Sequence, residues 1–128
     1  MATWKKFEDI DVWQLSRKLC EDIYKIINYE KFSKDYKLRD QINASSGSIM
    51  DNIAEGFERD GNKEFKQFLS IAKGSAGEVR SQLYRAFDRN YIEEKEFVSL
   101  VKDLENISGK LNNLIQYLRQ TSFKGKKF

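Results

Sequence analysis

The sequence has no histidine, no proline and one cysteine in 128 residues, with seven glycines. Without histidine the commonest general base, the commonest metal ligand and both the Ser-His and Cys-His nucleophile pairs are missing. The Glu-x-x-His motif that di-iron bundles take from two helices cannot be written either. Gly-x-Ser-x-Gly is absent, and Ser45, Ser46 and Ser48 fall inside a predicted helix rather than a nucleophile elbow. The expectation is a protein that is not an enzyme, with no catalytic residues, no metal site and no cofactor. Cys20 alone makes neither an internal disulfide nor a four-cysteine zinc site, and beside Leu19 it reads as an inert, buried thiol. No apolar run exceeds two residues and the opening Met-Ala-Thr-Trp-Lys-Lys carries no signal-peptide core, which predicts a cytoplasmic chain without a membrane partner.

Scarce glycine and absent proline leave little punctuation for strands and loops, so long helices are expected. The length predicts a single domain over residues 1–128, and 40% hydrophobic residues suffice for one core. Val12, Leu15, Leu19, Ile23 and Ile26 form the stripe of a first helix over about 12–28, capped by Asp9 or Asp11. A second helix over about 36–58 carries Leu38, Ile42, Ile49, Ile53 and Phe57, with small residues Ala44, Ser45, Ser46 and Gly47 to admit a close neighbour. A third, over about 63–89, carries Phe65, Phe68, Ala72, Ala76, Val79, Leu83 and Ala86, with Asp60 or Asn62 as its cap and Asn90 as its left-handed stop. Phe97, Leu100, Leu104, Ile107, Leu111, Leu114 and Leu118 alternate spacings of three and four, the pattern of coiled-coil-like packing. The connections are too short to run back along a helix that rises about 1.5 Å per residue, so each helix reverses on its predecessor. The predicted fold is all-α, an antiparallel up-down-up-down four-helix bundle. Met1 to Glu8 and Thr121 to Phe128 are placed outside it as flexible ends.

The stretch Tyr36 to Gly56, YKLRDQINASSGSIMDNIAEG, and the stretch Lys63 to Tyr84, KEFKQFLSIAKGSAGEVRSQLY, resemble the bacterial four-helix-bundle family of the 23S rRNA intervening-sequence protein. The resemblance opens at Phe7 to Gln14 (FEDIDVWQ) and reaches Tyr91 and Ile92, about two thirds of the chain. It implies a cytoplasmic, non-enzymatic bundle that assembles as a homopentamer, with relatives encoded inside rRNA intervening sequences. A further relative is the accessory protein of diversity-generating retroelements, so the resemblance also implies RNA or DNA, or a nucleic-acid enzyme such as a reverse transcriptase, as partner. The chain departs from the family pattern at Met50, where a proline is usual, at Asn43-Ala44, where a basic pair is usual, and at Arg89-Asn90, where Leu-Gly is usual. Losing that proline removes a kink-forming residue and predicts a straighter second helix.

Two groups of residues are candidates for function. Asn52, Glu55, Gly56, Gly74 and Ser75 carry the family motif, and glycine inside a helix costs about 1 kcal/mol against alanine, so Gly74 and Gly77 suggest close backbone approach within or between subunits. The alternative reading is a polar ligand pocket. Lys66, Lys73 and Arg80 recur every seven residues along one slowly drifting face, and Lys63, Arg85 and Arg89 extend the positive count. They read either as a solvated face or as phosphate contacts that a ring of subunits would multiply. Lys124, Lys126 and Lys127 could add to the contact. Trp4, Trp13, Tyr24, Tyr84 and Phe87 read as core or interface aromatics, with base stacking as the alternative. Wide apolar faces, Leu69, Ile71, Tyr84 and Phe87 on one helix and Trp13, Cys20, Tyr24 and Ile27 on another, point to a thick core or a subunit interface. A protein-interaction scaffold without nucleic acid is the second functional class.

Overall fold

The computed structural model describes residues 4–121, and the lysines of the tail lie outside them. A 3-10 turn over Phe7–Asp9 leads into α1 (Asp11–Ile27), a short α2 (Glu30–Lys34), α3 (Tyr36–Glu58), α4 (Asn62–Asp88) and α5 (Glu94–Gln120). Among the described residues there is no strand. α3 runs unbroken through Met50, in keeping with the missing proline.

Helix ends are set less by the expected side-chain caps than by backbone geometry and neighbouring elements. Ile10 occupies the N-cap of α1 without a side-chain bond, so neither Asp9 nor Asp11 caps it. Asp9 instead closes the preceding turn, accepting from the amides of Lys5 at 3.1 Å and Lys6 at 3.3 Å. Gly61, at φ 86°, is the N-cap of α4, which corrects the expectation for Asp60 or Asn62; Asn62 reaches across to donate to the Leu118 carbonyl at 3.4 Å. A positive φ is cheap only for glycine and a few polar residues, and Asn90, at φ 61°, does end α4 as expected. Asp35 caps α3 by accepting from the Leu38 amide, and Glu93 with Glu96 forms a capping box on α5.

Cross-helix bonds give the directions of packing. As α3 advances through Gln41, Ser45 and Ser48, its partners on α4 recede through Arg85, Gln82 and Ser75. Tyr84 meets Phe97 and Asn62 meets Leu118, so α4 and α5 are antiparallel. Lys110 pairs with Asp11 at 3.0 Å and Tyr29, just past α1, bonds Glu96 at the start of α5. α1 touches α3 and α5, and α4 touches the same two from the other side, so the four long helices enclose one core. All the stripe residues expected on α3 are buried, as are all those on α4 except the half-buried Phe68.

Two segments do more than expected. Trp4 packs edge-on against Phe57 and Phe65, and Phe7 against Trp13 with ring centres 5.1 Å apart, so residues 4–8 belong to the bundle rather than outside it. In the link between the first two long helices, α2 drives Phe32 fully into the core, tilted against Tyr91 at 5.2 Å.

Candidate nucleic-acid interface

The six basic candidates all lie on α4 or at its C-cap, but the structure divides them. Arg80 leans over α5 to Glu105 at 3.7 Å. Arg85 points the other way, donating to Gln41 of α3 at 3.1 Å. Arg89 bonds Asp35 at 2.9 Å, where Tyr91 donates at 2.8 Å to the same carboxylate oxygen. Asp35 is therefore a hub joining the start of α3 to the turn after α4. The Tyr91 hydroxyl first, then the Leu38 amide and Arg89, hold its carboxyl below the usual range against the opposing effect of burial.

Lys63, Lys66 and Lys73 make no ion pair among the described residues. Lys63 and Lys73 are exposed and Lys66 is half-buried. Spaced by seven, Lys66, Lys73 and Arg80 share a flank that turns only about 20° per step and lies on the α5 side, as the Arg80–Glu105 pair shows. Six basic residues in sequence thus become three uncompensated lysines on the N-terminal half of α4 and three arginines tied to neighbours. The opposite end of α4 is acidic: a cleft of about 700 Å³ is lined there by Tyr29, Asn90, Tyr91, Glu93, Glu94 and Glu96. Tyr29 donates to Glu96, and that bond, helped by burial, pushes the phenol up to about 12. This rim disfavours phosphate.

Of the motif residues, Asn52, Gly56 and Ser75 lie at the α3–α4 seam. Asn52 donates to the Ser48 carbonyl at 2.8 Å and to its hydroxyl at 2.9 Å, and the Ser48 hydroxyl is in turn hydrogen-bonded to that of Ser75 at 2.9 Å. Glu55 is exposed and pairs with Arg59 at 3.0 Å, whose guanidinium lies over Phe68. Gly56 is crowded by α4, since a Cβ there would sit 2.7 Å from the Cβ of Phe68. Gly74 and Gly77, by contrast, are exposed with no atom within 4 Å of the Cβ position, which corrects the expectation of close approach there as far as one subunit goes. In the small-residue run of α3, Ser45 and Ser46 are buried, Ala44 is exposed, and Gly47 touches nothing at its Cβ position.

The remaining residues fall into place around these. Cys20 is half-buried and donates to the Ser46 carbonyl at 3.3 Å, with burial pushing its thiol up. Among the described residues no three His, Cys, Asp or Glu side chains gather as a metal site, and no helix is long and apolar enough to cross a membrane. Trp13 is buried and Phe87 stacks on Phe97, whereas Tyr24 and Tyr84 stay exposed. The Asp35 links to Arg89 and Tyr91 and the Tyr29–Glu96 bond are not legible in the sequence because each joins residues more than fifty positions apart; the local signals were Asp35 directly before α3 and the Glu93-x-x-Glu96 capping spacing.

A family model described as 23S rRNA-intervening sequence protein matches residues 8–113, extending through most of α5 and beyond the stretch carrying the recognisable motifs. No curated protein sequence matches the chain. The structure is similar to a crystal structure from Bacteroides thetaiotaomicron of a protein of unknown function in the S23 ribosomal protein family, with a TM-score of 0.76 and 27% identity. The match covers 82% of this chain and 98% of that one.

Proposed function

Because the chain belongs to the 23S rRNA-intervening sequence protein family, we propose that it is a non-enzymatic helical bundle that assembles with copies of itself and offers the lysine flank of α4 to nucleic-acid phosphates. The observation that carries this reading is that Lys63, Lys66 and Lys73 stand without carboxylate partners while the arginines further along α4 are engaged. Self-association places several copies of a weak positive flank on one particle, and the phosphate attraction grows with each copy. The exposed Ile71 and the uncovered Gly74 on the outer side of α4 support such packing.

Fluorescence anisotropy with labelled structured RNA and duplex DNA tests the reading. Affinity should fall steeply with salt, by nearly one unit of log slope per phosphate contact. Lys63→Glu, Lys66→Glu and Lys73→Glu together should abolish binding, whereas Arg85→Gln and Arg89→Gln should change it little. Failure of the assembled protein to bind at low salt would end the nucleic-acid reading. The second reading, a scaffold for another protein, draws on the same uncovered Ile71 and Gly74.

A further inference from the structure

We propose that Tyr84 is a base-stacking residue at the end of the lysine flank, so that the nucleic acid taken by this surface is single-stranded, with unpaired bases, rather than duplex. This rests on the phosphate-contact reading above and deepens it.

Tyr84 follows Arg80 by four residues, one helical turn, and so continues the flank of Lys66, Lys73 and Arg80. At about 1.5 Å per residue its Cα lies about 6 Å beyond that of Arg80 and about 16 Å beyond that of Lys73 along the axis. Arg80 and Tyr84 both lean toward α5, the first to pair with Glu105 and the second to meet Phe97, which puts the ring on the same side of α4 as the flank that carries Lys66 and Lys73.

The ring is braced yet uncovered. It meets Phe97 at 4.8 Å and 74°, and Phe97 is itself stacked on Phe87 at 4.7 Å and 15°. Phe87 and Phe97 are half-buried against the core, while Tyr84 remains 52% exposed. A tyrosine serving only to fill the α4–α5 seam would be covered as its two neighbours are. Bracing from one side lowers the entropy lost when a flat ligand settles on the other. The other strongly exposed tyrosines lack this combination: Tyr36 has Arg39 over its ring at 5.2 Å, and Tyr24 lies on α1, across the bundle from α4. A base can lie on such a ring only when it has left its own stack, which single strands and loops allow and a duplex does not.

The test compares three labelled ligands by anisotropy: a short oligoadenylate, an abasic strand with the same number of phosphates, and duplex RNA. The wild type should bind oligoadenylate about 5- to 150-fold more tightly than the abasic strand, the worth of one base–aromatic stack. Tyr84→Leu, which keeps an apolar contact to Phe97, should bring oligoadenylate down to the abasic level and leave the abasic strand unchanged. Tyr84→Phe should retain the preference. Equal wild-type affinity for oligoadenylate and abasic strand overturns the stacking role while leaving the lysine reading intact. Absence of all three interactions ends both. A lower sedimentation mass in Tyr84→Leu would make Tyr84 a subunit contact and likewise overturn the proposal.

Discussion

Gly56 is the residue with least room for change, because any Cβ would be driven into Phe68 at 2.7 Å and Phe65 at 3.1 Å. The Phe68 Cβ is fixed to the α4 backbone and the Phe65 carbonyl oxygen follows at 3.4 Å, so turning the Phe65 ring alone does not relieve the clash and a helix must move. Gly56→Ala is expected to cost about 1–3 kcal/mol as overpacking, read as a lower urea midpoint at unchanged m. Asp35 governs the acid limb of stability. Its folded-state pKa is depressed, chiefly by the Tyr91 hydroxyl, so its contribution is complete above the unfolded carboxylate value and is lost as pH falls through the folded one. Asp35→Asn should therefore lower stability at neutral pH and flatten the fall below about pH 4 in acid titrations followed by circular dichroism. Tyr29 acts at the other extreme: its pKa is raised to about 12 by Glu96, so its contribution is complete below the unfolded phenol value and is lost as pH rises toward 12. Tyr29→Phe should remove that alkaline loss.

Among the elements, α3 and α4 form the most extensive pairing and carry the one buried polar link across it, Gln82 Nε2 donating to Ser45 Oγ at 3.2 Å. The partner atom Gln82 Oε1 is buried without a hydrogen bond among the described residues. Gln82→Met removes that unmet acceptor at similar volume, and Ser45 keeps its own bond to the Gln41 carbonyl at 2.9 Å. The variant is expected to gain about 1–3 kcal/mol in urea unfolding. The four long helices are legible because apolar spacing persists over several turns, and for α3 it predicts the very bounds, Tyr36–Glu58, that the helix has. α2 is not legible, since five residues around one phenylalanine give no period. Phe32 is nevertheless fully buried, and Phe32→Ala should cost about 3–5 kcal/mol.

At the scale of the whole molecule, the lysines without an ion pair lie toward the start of α4 and the glutamates of the following turn lie beyond its end, although Glu64 and Arg85 keep both signs on the helix itself. Assembly is the prediction that belongs here: sedimentation velocity should give a mass above one subunit, and Gly74→Leu, tolerable to the fold because nothing lies within 4 Å, should reduce it. A wild-type monomer at micromolar concentration would remove self-association from the proposal. By itself the sequence determined the helical class, the four apolar stripes, the left-handed stop at Asn90 and the family motif, because each is written in residues a few positions apart. Only the tertiary structure decided which basic residues are free, which glycine is crowded and which tyrosine is uncovered. Those outcomes depend on groups such as Glu105, Asp35, Phe68 and Phe97, contributed by other helices or from a turn away, whose approach is fixed by packing. Local spacing specifies a helix face; what that face meets is a property of the bundle.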